Sequence, residues 1–130
     1  MLELGLGRTY SHLLERLPGR DVFVFERTVM AHPLSRPPPD RLGLGDFLDT
    51  LPTARTRIGA PAALAHMDVG SGDEAASRRL AAAAARLLVP LLAEGAVMVG
   101  DQPLAPPDLA PLPLPETVPP GRYFMFAKTG

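Results

Sequence analysis

Apolar and polar positions alternate along this chain in two different rhythms. A short apolar run, Met1–Leu6, ends in glycines and reads as a strand. From Thr9 to Leu17 the apolar residues Tyr10, Leu13, Leu14 and Leu17 fall at helical spacing, and the Pro-Gly pair at 18–19 ends that helix. "DVFVFE", 21–26, is almost continuously apolar and rich in β-branched and aromatic residues, as a strand covered on both faces should be. "HPLSRPPPD", 32–40, lacks the amide donors for regular structure. "RLGLGD", 41–46, predicts a short strand and Phe47–Leu51 a weak helical turn, and "PTARTRIGAP" reads as a connecting loop.

"AALAHM", 62–67, predicts another strand. After it, "SGDE" sets Ser71 three residues before Glu74, the spacing of a reciprocal capping box. Ala76, Leu80, Ala84, Leu87 and Leu91 then repeat at helical spacing, with Pro90 ending or kinking the helix. "GAVMVGD", 95–101, predicts a strand, the proline-dense run beyond it an extended surface path over a helix, and "RYFMFAK", 122–128, a closing strand. Strands alternating with helices predict an α/β protein with a Rossmann-like three-layer sandwich. Its sheet should be mostly parallel with an antiparallel closing strand. At 130 residues this is a single domain, 1–130.

Charge and composition narrow the function. A formal net charge of −1 gives no electrostatic footprint for nucleic acid and no polybasic patch for a membrane. Lys128 is the only lysine, an arginine bias that fits a GC-rich genome better than a binding surface. Cysteine is absent, which excludes disulfides, thiolate nucleophiles and cysteine-held metals. The longest apolar tract, Leu80 to Val99, holds Arg86, Pro90 and Glu94 and predicts a buried helix running into a strand, not a membrane span. With Glu3 where a signal peptide would be positive, the expectation is a soluble cytoplasmic protein.

In open α/β sheets ligands bind beyond the carboxyl ends of the strands. Gly5 and Gly7 sit at the end of the first strand, where a glycine lets a ligand approach the backbone. About twenty residues on, Glu26 ends the next strand, where a carboxylate can accept both hydroxyls of a ribose. Together they point to an adenosine-containing cofactor. Tyr10 occupies the place of the third glycine of a dinucleotide fingerprint, which argues against a nicotinamide enzyme. The acid ahead of the first glycine suits the cationic tail of S-adenosylmethionine.

"LELGLG" resembles the first motif of class I S-adenosylmethionine-dependent methyltransferases, "VFVFE" their second and "LGLGDF" their third. "LLAEGAVMVGD" is similar to their approach to strand five. Within that superfamily the "ELGLG…RTY.HL" opening and the "GDxxA" helix start most resemble a compact bacterial group. The resemblance implies that Glu3, Gly5 and Gly7 face the methionine tail and Glu26 the ribose, while Asp46 and Phe47 flank the adenine. It also implies methyl transfer to a small-molecule acceptor, and it allows a homo-oligomer. Thr9 stands where the family pattern has a further glycine, the chain begins inside the first strand, and the proline-rich connector is short. Those departures keep a rival reading open: a non-catalytic or cofactor-impaired descendant acting as an interaction module.

Asp68 and Asp101 fall at the carboxyl ends of their strands and are the candidate catalytic residues, Asp68 or His66 as the base. Some relatives hold a divalent metal with acids there, but such carboxylates are common and no metal site is expected. The structural alternatives are plain too: Asp46 as a helix cap, His66 as an interior histidine, and Arg78 and Arg79 on a solvated helix face.

Overall fold

The computed structural model describes residues 8–26, 37–70, 72–105 and 108–129. The expected opening strand with Glu3, Gly5 and Gly7, and also Ser71 and most of the 32–40 segment, lie outside them. Helix α1, Arg8–Arg16, leads into strand β1, Val24–Glu26, which pairs in parallel with β2, Leu42–Leu44. Two short helices follow, α2 at Phe47–Thr50 and α3 at Ala54–Ile58, joined by a 3-10 turn. The segment expected as a bare loop is therefore partly helical. Gly59, in the left-handed conformation at φ 78°, ends it as a C-cap.

Strand β3, Ala62–Met67, is connected through α4, Glu74–Leu88, to the parallel strand β4, Leu92–Gly100. Proline at position 90 closes α4, as expected, by way of a 3-10 turn over Val89–Leu91. β4 begins three residues earlier than its sequence pattern suggests, and its register against β3 shifts between Ala62 and Leu64. Opposite that shift Gly95 takes a positive φ of 79°, which absorbs the extra residues.

The last two strands correct the expectation for the proline-rich run. Leu109–Leu112 forms β5, and β6, Phe124–Lys128, lies between β4 and β5 in the order β3-β4-β6-β5. β6 runs antiparallel to both neighbours, so the sheet is mixed and its closing strand is interior. Prolines are tolerated in β5 because it is an edge strand, where a missing amide leaves no ladder bond unmade.

The main core lies between the sheet and α2, α3 and α4, around Phe25, Phe47, Leu51, Met67, Met98 and Phe126. On α4 the buried residues are Ser77, Ala81, Ala84, Ala85 and Leu88, one position round the helix from the expected stripe. Three of these five are alanines, and Leu88 is the one leucine among them. The small alanine side chains let the helix approach the sheet closely, while Leu80 and Leu87 pack at the flanks, half buried. A second cluster joins Tyr10 of α1 to Val24, with Val22 and Leu42 against it. Tyr10, too bulky for a glycine's place, thus becomes the anchor of α1.

Candidate active site at the strand ends

Among the described residues the parallel strands form two pairs, β1 with β2 and β3 with β4, and an acid closes each of them: Glu26 ends β1, Asp46 follows β2, Asp68 follows β3 and Asp101 follows β4. These are the positions where ligands of open α/β sheets bind. Glu26 is only 5% exposed, and its carbonyl accepts the amide of Gly45 at 2.9 Å. Gly45 takes φ 137°, a conformation open mainly to glycine, and turns the chain from β2 into α2. Asp46 caps α2, its carboxylate accepting the Leu48 amide at 2.9 Å. Phe47 is buried in the main core. The structure therefore brings Glu26 and the Gly45–Asp46 turn together and sends the Phe47 ring inward.

Asp68 and Asp101 meet at the ends of β3 and β4. Asp101 accepts the Val69 amide at 3.2 Å through Oδ1 and the Gly70 amide at 2.7 Å through Oδ2. Its own amide donates to the Met67 carbonyl at 3.2 Å. Asp68 stays exposed, yet its proton affinity is raised. Lost hydration is the first cause, followed by a side-chain hydrogen bond to Asp101 and the charge of Asp101. His66, two residues back, has a buried Nδ1 with no hydrogen-bond partner. Burial lowers its pKa, against the pull of Asp101, so it stands as a neutral imidazole at pH 7.

Two features escaped the sequence pattern. The N-cap of helix α4 is Asp73, which accepts the Ala76 amide at 3.0 Å. "SGDE" contains both candidates, and the helix starts directly behind the aspartate. Gly70 was the other: a Cβ there would overlap Oδ2 of Asp101. A glycine two residues after a strand-end acid was its only signal.

A shallow groove lined by Gly72, Asp73, Glu74, Ala75 and Arg78 opens at the start of α4, just beyond this turn. Another, between Arg55, Ile58, Pro61 and Leu91, lies at the amino ends of β3 and β4, the wrong side for a ligand by the strand-end rule. Among the described residues no group of three or more histidines and acids is placed to hold a metal. No helix among them is long and apolar enough to cross a membrane.

Acids at the carboxyl ends of parallel strands stand where open α/β sheets bind their ligands. The comparisons make the class definite. The chain matches the model of a family described as S-adenosyl-L-methionine methyltransferase over residues 1–128, and it belongs to that family. Among solved structures it is similar to the 1.80 Å crystal structure of S-adenosyl-L-methionine methyl transferase from Silicibacter pomeroyi DSS-3. The two are 42% identical with a TM-score of 0.91, over 98% of this chain and 78% of that one. No curated protein matches.

The family's methyl donor is S-adenosylmethionine. The residues present fit that donor in kind: a buried carboxylate at β1 can accept hydroxyls, and an acidic rim suits a molecule carrying a sulfonium and an ammonium group. Nothing in the comparisons favours the reading of a non-catalytic interaction module.

Proposed function

We propose that this chain transfers a methyl group from S-adenosylmethionine to a small acceptor that loses a proton in the reaction. The observation that carries the proposal is the acid at the carboxyl end of each described parallel strand, within a chain of this family. The donor, when bound, supplies a methyl group already activated by its sulfonium. The protein then has to align the acceptor and take up its proton.

In this reading Glu26 accepts the ribose hydroxyls, and Asp46 and the backbone of Phe47 border the adenine where β2 hands over to α2, while the Phe47 ring supports the turn from the core. Glu3, Gly5 and Gly7, which lie outside the described residues, face the methionine tail. Asp68 is the base on the acceptor side. Its raised proton affinity suits the task, because a base closer in pKa to its acceptor removes a proton more readily. Asp101 stands beside it. A net charge of −1 supports a small molecule over a nucleic acid as acceptor. A three-layer packing of helices on both sheet faces belongs to the same reading.

Calorimetry with S-adenosylhomocysteine tests this, with NAD(H) at the same near-millimolar concentration as the control. Binding of the first and not the second is the expected result. Binding of NAD(H) alone would replace the methyl donor with a different nucleotide chemistry.

A further inference from the structure

Both oxygens of Asp101 are engaged by backbone amides of the turn that follows β3, and this sets Asp101 apart from a free catalytic acid. Oδ1 takes the Val69 amide at 3.2 Å and Oδ2 the Gly70 amide at 2.7 Å. The Asp101 amide closes the same junction from the other side by donating to the Met67 carbonyl at 3.2 Å. Asp68 is the residue enclosed between these bonds. We propose that Asp101 is a positioning residue: it fastens the 68–70 turn to the end of β4, and Gly70 is the residue that makes the fastening possible.

Gly70 earns this role by what it lacks. A side chain there would meet Oδ2 of Asp101 directly and the Gln102 Nε2 at 3.4 Å. The amide of residue 70 can reach the carboxylate only while no Cβ stands in the way. The nearby Gly100 is also crowded: a Cβ there would lie 3.1 Å from the Met67 carbonyl oxygen. Two strand ends and one turn are thus drawn together about a single carboxylate. Among the described residues Asp101 is the charged group that acts on Asp68, and it acts on His66 as well. Fastening the turn therefore also sets how far apart two like charges stand.

The inference rests on the methyl-transfer reading only for the use made of Asp68; the clamp itself is independent of it. Its test is heteronuclear NMR on the full chain, native and with Asp101→Asn or Gly70→Ala, following carboxyl carbon titrations and amide exchange. In the native chain the amides of Val69 and Gly70 should be protected and the Asp68 carboxyl should titrate above the ordinary range. Asp101→Asn keeps one accepting oxygen and removes the charge. It should speed exchange of at least one of the two amides by about tenfold or more and return the Asp68 midpoint toward the ordinary range.

Gly70→Ala leaves both carboxylates in place and should release the residue 70 amide while shifting the Asp68 midpoint in the same direction. A merely structural role would lower the melting temperature without moving that midpoint. An unmoved midpoint and unchanged amide protection in the folded variants overturn the proposal. Should Asp101→Asn fail to fold, Gly70→Ala, on an exposed turn, decides alone. S-adenosylhomocysteine binding is read by calorimetry on the same native sample. A protected turn in a chain that binds no S-adenosylhomocysteine would uphold the clamp and defeat only the methyl-transfer reading.

Discussion

Glu26 and Asp68 each close a parallel strand, yet their surroundings differ in kind. Glu26 is 5% exposed, whereas Asp68 is exposed and lies against a second carboxyl group. A buried carboxylate must be met by hydrogen-bond donors, because desolvating the charge is otherwise costly. The proposed function gives that place to the ribose hydroxyls. An exposed carboxyl group with partial loss of hydration and a second acid nearby instead holds its proton more tightly, because two like charges side by side repel. That place suits proton transfer. One fold thus offers two carboxylates at equivalent strand-end positions, one buried and one exposed beside a second acid, and the proposed function gives them different roles.

The sharpest way to break this contrast is to exchange each acid for its amide and measure ligand affinity. Glu26→Gln should weaken S-adenosylhomocysteine binding by roughly 1.5–3 kcal/mol, the range for a hydrogen bond to a charged group. Asp68→Asn should leave that affinity within about 0.5 kcal/mol, as expected for an exposed substitution away from the ligand. Calorimetry on the two variants gives the answer. Equal losses would mean that both acids touch the cofactor and that the division of roles is wrong.

A control for the turn beyond Asp68 comes next in size. Asp73 accepts the Ala76 amide, and Asp73→Ala should lower stability by about 1 kcal/mol, the usual effect of losing an N-cap. Denaturant titration measures this, and S-adenosylhomocysteine affinity should be unchanged. A loss of affinity without a loss of stability would place the start of α4 inside the ligand site and extend the acidic rim onto a helix.

Most of the elements were legible in the sequence because their signals are local. The β-branched run before Glu26 and the stop at Pro90 each act over a few residues. What was not legible depended on partners far along the chain. β5 is hidden by its prolines and exists because β6 offers it an edge, an arrangement no local propensity encodes. The buried stripe of α4 is set by how closely the helix approaches the sheet, so it lies one position round from the leucines that the periodicity favoured. Asp68 and Asp101 were legible as strand-end acids. Their contact depends on the parallel pairing of β3 with β4, a long-range fact, and the part of Gly70 depends on that contact in turn.

The smallest expected effect is a pH dependence, and it sharpens the contrast most finely. Folded Asp68 holds its proton more tightly than the unfolded chain does, chiefly through lost hydration and then through Asp101. Below the ordinary aspartate value of 3.8 both states are protonated. As pH climbs from there toward the raised native value, the unfolded chain releases its proton first, so stability falls as pH rises. His66 works in the opposite sense. Its pKa lies below the ordinary 6.5, mainly through burial, so the unfolded chain takes up a proton first as pH drops. Stability then falls as pH decreases through that window. Asp68→Asn should flatten the first slope alone and His66→Gln the second alone, and the exposure of Asp68 keeps its slope shallow. Melting temperatures of the three proteins from about pH 4 to 8 separate the two contributions. An acidic slope that survives in Asp68→Asn would show that Asp68 does not hold its proton more tightly in the folded chain. The difference between the two strand ends would then reduce to burial.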